Sequence, residues 1–454
     1  MRRFASIASG LFACVAGCGD DGGARKLPDA PPLEDGPAPD MLASGTVNVT
    51  TMVRCCDVAA NTPQANVLVV AVNSDGNVAG TAMTDAQGKA SLSIREGATV
   101  TAIYPEDVNQ ETIAVSYVGV KPDDDLTFGD NYYTTPTTIT GTAGQMTLNW
   151  TAATNATQYR VFHPCQSYGP YVNGLTYSLT LETYCQTPTA PIALVALDAN
   201  YQVVSSAYVP AAAYTVGATV NVAANQWVDQ AVGNFMVSIS GLPAAVDEVD
   251  FDFDARYAGF SYSDGDYIIP KSGGGSVALS VPSTAISTTV EATLYRNNYQ
   301  RQEHYKTGPA PVVYPPPTLP WLSGVVFNPE DRHAIWLQTS GGAYDASIFE
   351  TNWRRSDKKT DHYFRWRVFL PPGQTELALG TPPAELAPYL PGATDDVGYE
   401  LTLVDLSSAA SYDAARALPE WRLASPDGAV AAGDEPLAGI TQYGDGGEGF
   451  SFAH

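Results

Sequence analysis

Charge is scarce in this chain, and basic charge scarcest: 16% of its 454 residues are charged, with 23 Lys and Arg against 48 Asp and Glu. The formal net charge is -25. Nucleic acid and an anionic membrane face both need basic footprints, so neither is a general partner. Histidine is rare too, at 5 residues. Three residues after His163, His304, His333 and His362 stand Gln166, Thr307, Trp336 and Arg365, so no His-x-x-Glu zinc pattern exists. HExxH, GxxxxGK[ST] and a G-x-G-x-x-G between strand and helix are missing as well. Nucleophile-elbow spacing fails at Gly259-Phe260-Ser261-Tyr262-Ser263, where serine takes the place of the last glycine. These absences argue against an enzyme, a cofactor and a metal, although a catalytic set scattered along the chain would leave no motif. No run approaches the roughly 20 apolar residues of a spanning helix.

What is present is the material of β-sandwiches. With 40 Gly, 33 Pro and 25 Tyr, and repeated Val/Thr runs, the composition predicts an all-β chain of short strands and turns. Its length exceeds what one core supports, so three or four domains are expected.

The chain opens with Arg2 and Arg3, runs from Phe4 to Ala16 without charge, and turns polar at Gly19-Asp20-Asp21. A cationic start, a short apolar stretch and small residues before a break make a secretory signal, assigned to residues 1–17. Val15-Ala16-Gly17-Cys18 resembles the lipobox of bacterial lipoproteins. That resemblance implies cleavage before Cys18, with lipid on its sulfur and on its new amino group. Leu11-Phe12-Ala13-Cys14 is a poorer match, because Phe12 is bulky and apolar Val15 follows. Gly19 after the cysteine resembles lipoproteins sorted to the outer membrane. The expected place is therefore the bacterial cell envelope, with the membrane as partner through the lipid. Without lipid, Val15-x-Gly17 still suits ordinary signal cleavage and export. Residues 18–43, rich in Gly, Asp and Pro and nearly free of apolar side chains, read as a disordered tether.

Export permits disulfides among Cys55, Cys56, Cys165 and Cys185. Cys165 with Cys185 is the favoured pair, at positions that suit neighbouring strands of one domain; Cys55 and Cys56 are then vicinal partners or free thiols, unless both reach across to the second domain.

Residues 44–128 carry a buried run at Val67 to Val72, turns at Asn73-Ser74-Asp75-Gly76 and Asp85-Ala86-Gln87-Gly88, and an alternating strand from Lys89 to Ile94. The stretch from Asn66 to Pro105 resembles the carboxypeptidase-regulatory-like, transthyretin-like fold, which implies a structural β-sandwich. In residues 129–228, Met146 to Trp150 and Tyr159 to Phe162 resemble the B and C strands of a fibronectin type III domain. Residues 229–308 read as a further sandwich, 309–320 as a stiff Pro-rich linker, and 321–454 as a C-terminal β-rich domain. Ser407 to Leu418 is the one helix-like stretch expected there.

Three patterns are candidate binding features. In Asp247 to Tyr257, alternation puts Val249, Phe251 and Phe253 on one face and Asp250, Asp252 and Asp254 on the other. With Asp264 and Asp266, those carboxylates suggest calcium, but same-face neighbours about 6.6 Å apart cannot chelate one ion unaided. A solvated face that discourages edge pairing explains them as well. Tyr257, Phe260, Tyr262 and Tyr267 would stack on sugar rings if exposed, or fill a core if not. Six of the 23 basic residues fall between Arg354 and Arg367, poised for an anionic polysaccharide or for internal charge balance.

The leading expectation is an envelope lipoprotein whose sandwiches bind a polysaccharide or a surface protein. The alternatives are an exported hydrolase with its site assembled within residues 318–454, and a calcium-dependent binding module.

Overall fold

The computed structural model describes residues 42–444 except 54–61, 107–110, 131–140, 165–168, 184–186, 230–234, 259, 271–272, 297–299, 308–310, 318, 340, 357–360, 379–382, 393–394, 407–408, 410 and 419–436. The signal, Cys18, all of the tether but its last two residues, and Cys55, Cys56, Cys165 and Cys185 lie outside the described residues. From Ala43 onward the described residues form one unit, and it is all-β in tandem sandwiches.

Alternation decides how its strands face. In residues 44–128 the strands are β1 (Ser44–Val53), β2 (Thr62–Pro63), β3 (Leu68–Val72), β4 (Val78–Met83), β5 (Lys89–Arg95), β6 (Ala98–Ile103), β7 (Glu111–Val120) and β8 (Asp125–Asp130). Along β5, Leu92 and Ile94 are buried while Lys89, Ser91, Ser93 and Arg95 are exposed. They meet Val69, Val100 and Val115 in one core. Gly88 closes the turn before β5 at φ 68°. A Cβ there would lie 2.4 Å from the Thr51 carbonyl, so only glycine fits.

The second module holds β9 (Thr142–Trp150), β10 (Gln158–Phe162), β11 (Tyr171–Val172), β12 (Thr176–Glu182), β13 (Thr189–Leu197), β14 (Val203–Ala213), β15 (Thr219–Val222) and β16 (Val228–Asp229). They form two sheets, ordered β11-β10-β13-β14-β16 and β12-β9-β15, around Met146, Leu148, Val161 and Leu194. The strands preceding Cys165 and Cys185, β10 and β12, thus belong to opposite sheets.

Next come β17 (Phe235–Ser240), β18 (Glu248–Tyr257), β19 (Phe260–Ile268), β20 (Gly274–Leu279), β21 (Ser287–Arg296), β22 (Gln300–Thr307) and β23 (Val312–Tyr314). The last is a finding about the Pro-rich stretch. Between its prolines, Val312 and Tyr314 are buried, β23 pairs in parallel with β17, and the Tyr314 hydroxyl donates to the Val290 carbonyl. The apolar Val-Val-Tyr triplet makes this part of 309–320 a strand of the third core.

The C-terminal strands are β24 (Leu322–Asn328), β25 (His333–Gln338), β26 (Ala346–Ser356), β27 (Asp361–Leu370), β28 (Glu376–Ala378), β29 (Asp396–Leu406) and β30 (Leu437–Gly444). Within the expected Ser407 to Leu418 helix, α1 spans only Tyr412–Arg416, capped where the Ser411 side chain accepts from the Ala414 amide.

These modules do not close their sheets separately. One twelve-stranded sheet runs β19-β18-β21-β22-β30-β29-β26-β27-β7-β6-β3-β4. It is joined by β27 running parallel to β7, and by β30 bridging β22 and β29. Residues 44–128, 229–308 and 321–454 all supply strands to it, whereas 129–228 keeps two sheets of its own. Arg416 on α1 fastens the same junction. It is 1% exposed, pairs with Asp124 and Asp413 at 2.8 Å each, and donates to the Gly119 carbonyl.

Candidate functional site

The acidic strand faces as its alternation dictates, but its carboxylates are dispersed along that face. Val249, Phe251 and Phe253 are buried, and Asp250, Asp252 and Asp254 line the other face. Asp254 is occupied by Arg256 at 2.8 Å and by the Ser263 hydroxyl at 3.1 Å. Asp252 lies across the edge strand at Gly265, where a Cβ would come 2.1 Å from its carboxylate. Partial burial of that carboxyl, then Asp250 and Asp264, push its pKa up. Among the described residues, no group of three or more His, Cys, Asp or Glu comes together as a metal would need.

The aromatic cluster forms a seam between modules. Tyr262 is 0% exposed and Tyr257 6%, so neither can present a ring face to a sugar. Tyr262 meets Phe162 of the second module edge-on at 5.2 Å, and Phe260 stacks on the same ring at 6.5 Å. Tyr257 packs on Tyr208 at 5.2 Å and shares a hydrogen bond with the Thr284 hydroxyl. Burial carries its own hydroxyl up to about 12. These rings belong to the core shared by the second and third modules. Tyr267 alone of the four is largely open, at 59%.

Three of the hairpin's six cations are spent internally. Lys358 and Lys359 lie outside the described residues. Arg367 meets Glu350 at 2.7 Å, Arg365 meets Glu111 at 3.2 Å, and Arg355 grips both oxygens of Asp395 at 2.6 and 3.2 Å. Burial alone would raise the Glu350 carboxyl, but Arg367 and Arg365 outweigh it and hold the pKa below the usual range. Of the two uses open to these residues, charge balance inside the fold accounts for the three arginines.

In the C-terminal domain, His333 Nε2 lies 2.9 Å from Glu376 on a partly exposed strand pair, and His362 Nδ1 lies 3.2 Å from Glu106. Burial, then the Asp345 carboxyl beside it, raises Asp405.

The arrangement that pattern reading overlooked is in the second module. Arg160 on β10 stands directly across from Tyr171 on β11. Its guanidinium lies 5.0 Å from the Phe162 ring centre, 5.1 Å from Tyr171 and 5.3 Å from Tyr262. Its Nε donates to the Gly169 carbonyl at 3.1 Å. Tyr171 and Tyr201 are each 57% exposed and meet at right angles, with centroids 5.9 Å apart. Tyr201 holds φ at 65°, where Gly or Asn is the usual occupant. The Asp198 carboxylate braces that turn, accepting from the Asn200 and Gln202 amides. One signal in the chain pointed here: Arg160 is the only Lys or Arg between Lys121 and Arg256.

No protein-family model and no curated protein sequence matches the chain. Among solved structures, the TIE protein of Bacillus anthracis aligns over 60% of this chain and 49% of its own, at 9% identity and a TM-score of 0.14. E. coli alpha-2-macroglobulin aligns over 76% and 26%, at 11% identity and a TM-score of 0.13. The pilus adhesin SpaC of Lactobacillus rhamnosus GG aligns over 72% and 44%, at 9% identity and a TM-score of 0.13. The chain thus spans half or less of each of these structures, and scores at this level carry no inference about fold or function.

Proposed function

We propose that this chain is a lipid-anchored protein of the bacterial cell envelope, placed at the outer membrane, that displays non-catalytic β-sandwiches for adhesion or for binding glycan or protein. The observation that carries the reading is Val15-Ala16-Gly17-Cys18, which follows a charge-free run and precedes Gly19-Asp20-Asp21. Acyl chains on Cys18 would anchor by burying methylenes at about 0.8 kcal/mol each, and two chains hold stably where one does not. The acidic, proline-bearing tether would then keep the body off an anionic surface. In support, β1 begins at Ser44, directly after the tether's last residue.

Labelling with radioactive palmitate in a bacterial host tests the anchor. The wild-type chain should take up label and sediment with membranes, and Cys18→Ala should take up none and appear in the soluble fraction. A mature chain whose intact mass places an unmodified Cys18 at its N-terminus would overturn the assignment.

A further inference from the structure

We infer that Arg160, Tyr171 and Tyr201 form a subsite for an acidic saccharide, with a uronate carboxylate on the Arg160 fork and the sugar ring against Tyr171. This rests on the reading of the chain as a displayed binding protein and adds the class of ligand. Arg160 is held as a recognition arginine should be. Its Nε is fixed on Gly169 and its plane lies among three rings, while its two Nη groups have no hydrogen-bond partner among the described residues. A guanidinium presents its donors in a planar fork that matches a carboxylate bidentately, and ordering it beforehand lowers the entropic cost of binding.

The rings beside it supply the second element. Tyr171 and Tyr201 form a right-angled shelf open to solvent. The φ of 65° at Tyr201 costs about 1 kcal/mol or more for a side chain of its size, yet its ring is largely exposed and repays little of that by burial. A shelf of this shape suits the C–H face of a sugar ring, with a tyrosine hydroxyl left for its rim. Arg160, a cation with donors alone, stands over the Tyr171 ring of the shelf, which favours a carboxylated sugar over a neutral one.

The surroundings permit an anion. From residue 129 to 228 the only acidic residues are Asp130, Glu182 and Asp198, so the protein's overall negative charge is thin here. Asp264 of the third module is the carboxylate behind the seam. It accepts the Tyr262 hydroxyl at 2.8 Å and forms no ion pair with Arg160.

Isothermal titration of the full chain carrying Cys18→Ala, so that anchoring plays no part, with tetragalacturonate and with neutral maltotetraose tests the site. Tetragalacturonate should bind, and more weakly at high salt; maltotetraose should not. Arg160→Gln and Tyr171→Ala should each weaken binding about tenfold or more, with the Tm of Tyr171→Ala unchanged. Tyr267→Ala, an exposed ring away from the shelf, should bind as the parent does. No heat up to millimolar tetragalacturonate would overturn the inference, as would equal binding of the neutral sugar, or affinity indifferent to both Arg160→Gln and Tyr171→Ala. Appearance of new reducing ends would instead overturn the non-catalytic reading and leave the subsite standing.

Discussion

Arginines serve two different ends in this molecule. In the hairpin of β26 and β27, Arg355, Arg365 and Arg367 each meet a carboxylate, and Arg367 and Glu350 are nearly closed to water at 10% and 13% exposure. In the second module, Arg160 meets aromatic rings and one carbonyl. The hairpin pairs form on a sheet shared by strands of three modules, where an unmatched charge would be costly. Arg160 sits one strand in from a sheet edge, beside the two-residue β11, where stacking fixes the side chain and leaves its Nη donors free. A dense basic stretch was therefore the less informative signal, and an isolated cation in a nearly uncharged module the more informative one.

The largest test of this contrast removes a partner inside the hairpin. Glu350→Ala should cost about 3–5 kcal/mol in urea unfolding, because it takes a carboxylate partner from the buried Arg367. Replacing both, as Glu350→Leu with Arg367→Met, should recover most of that loss. The lowered Glu350 pKa means that its contribution is present at neutral pH, and it fades as pH falls through and below the ordinary carboxylate range. Equal stability of Glu350→Ala and the parent would break the contrast.

The second module should behave oppositely. Tyr201→Asn relieves the left-handed backbone and should leave stability unchanged or raise it by about 0.5–1 kcal/mol. The same variant should weaken tetragalacturonate binding. Stabilisation with full binding would mean that the Tyr201 ring has no part in the shelf.

The smallest expected effect asks whether charge matching in the C-terminal domain is complete. Asp405 beside Asp345 is one exception. A carboxyl whose pKa is raised on folding favours the native state at pH below the carboxylate range, and that advantage is lost as pH rises through the raised value. At pH 7 the pair is therefore a cost. Asp405→Asn should raise the Tm by about 1–2 °C at pH 7, with the gain shrinking toward pH 4. A gain that stays constant with pH would exclude the carboxyl pair as its source.

Local features were legible in the chain. Alternation in Asp247 to Tyr257 assigned the faces of β18, and Asp85 to Gly88 announced a turn that only glycine can close. The all-β class followed from the same patterns. Relations across modules were not legible. The residues of β7 say that it is a strand but not that its neighbour is β27, because backbone pairing carries little side-chain information. Tyr257 and Tyr262 read as rings for a core more readily than for a sugar, but nothing in the chain said that the second module supplies part of that core. Arg160 has no motif, since its surroundings come from β11, the turn before β14 and the third module.

The parallel pairing of β7 with β27 also sets a clock. Ser116 and Trp366, hydrogen-bonded at 2.8 Å across that junction, are 250 residues apart in the chain. At a synthesis rate of about 5–20 residues per second, the edge of β7 waits roughly 10–50 s for its neighbour. Through that interval a strand rich in valine shows bare amides and carbonyls, the form in which chains join to one another. Any cell that makes this protein must shield that edge until Leu370 has emerged, or hold the whole chain unfolded until then.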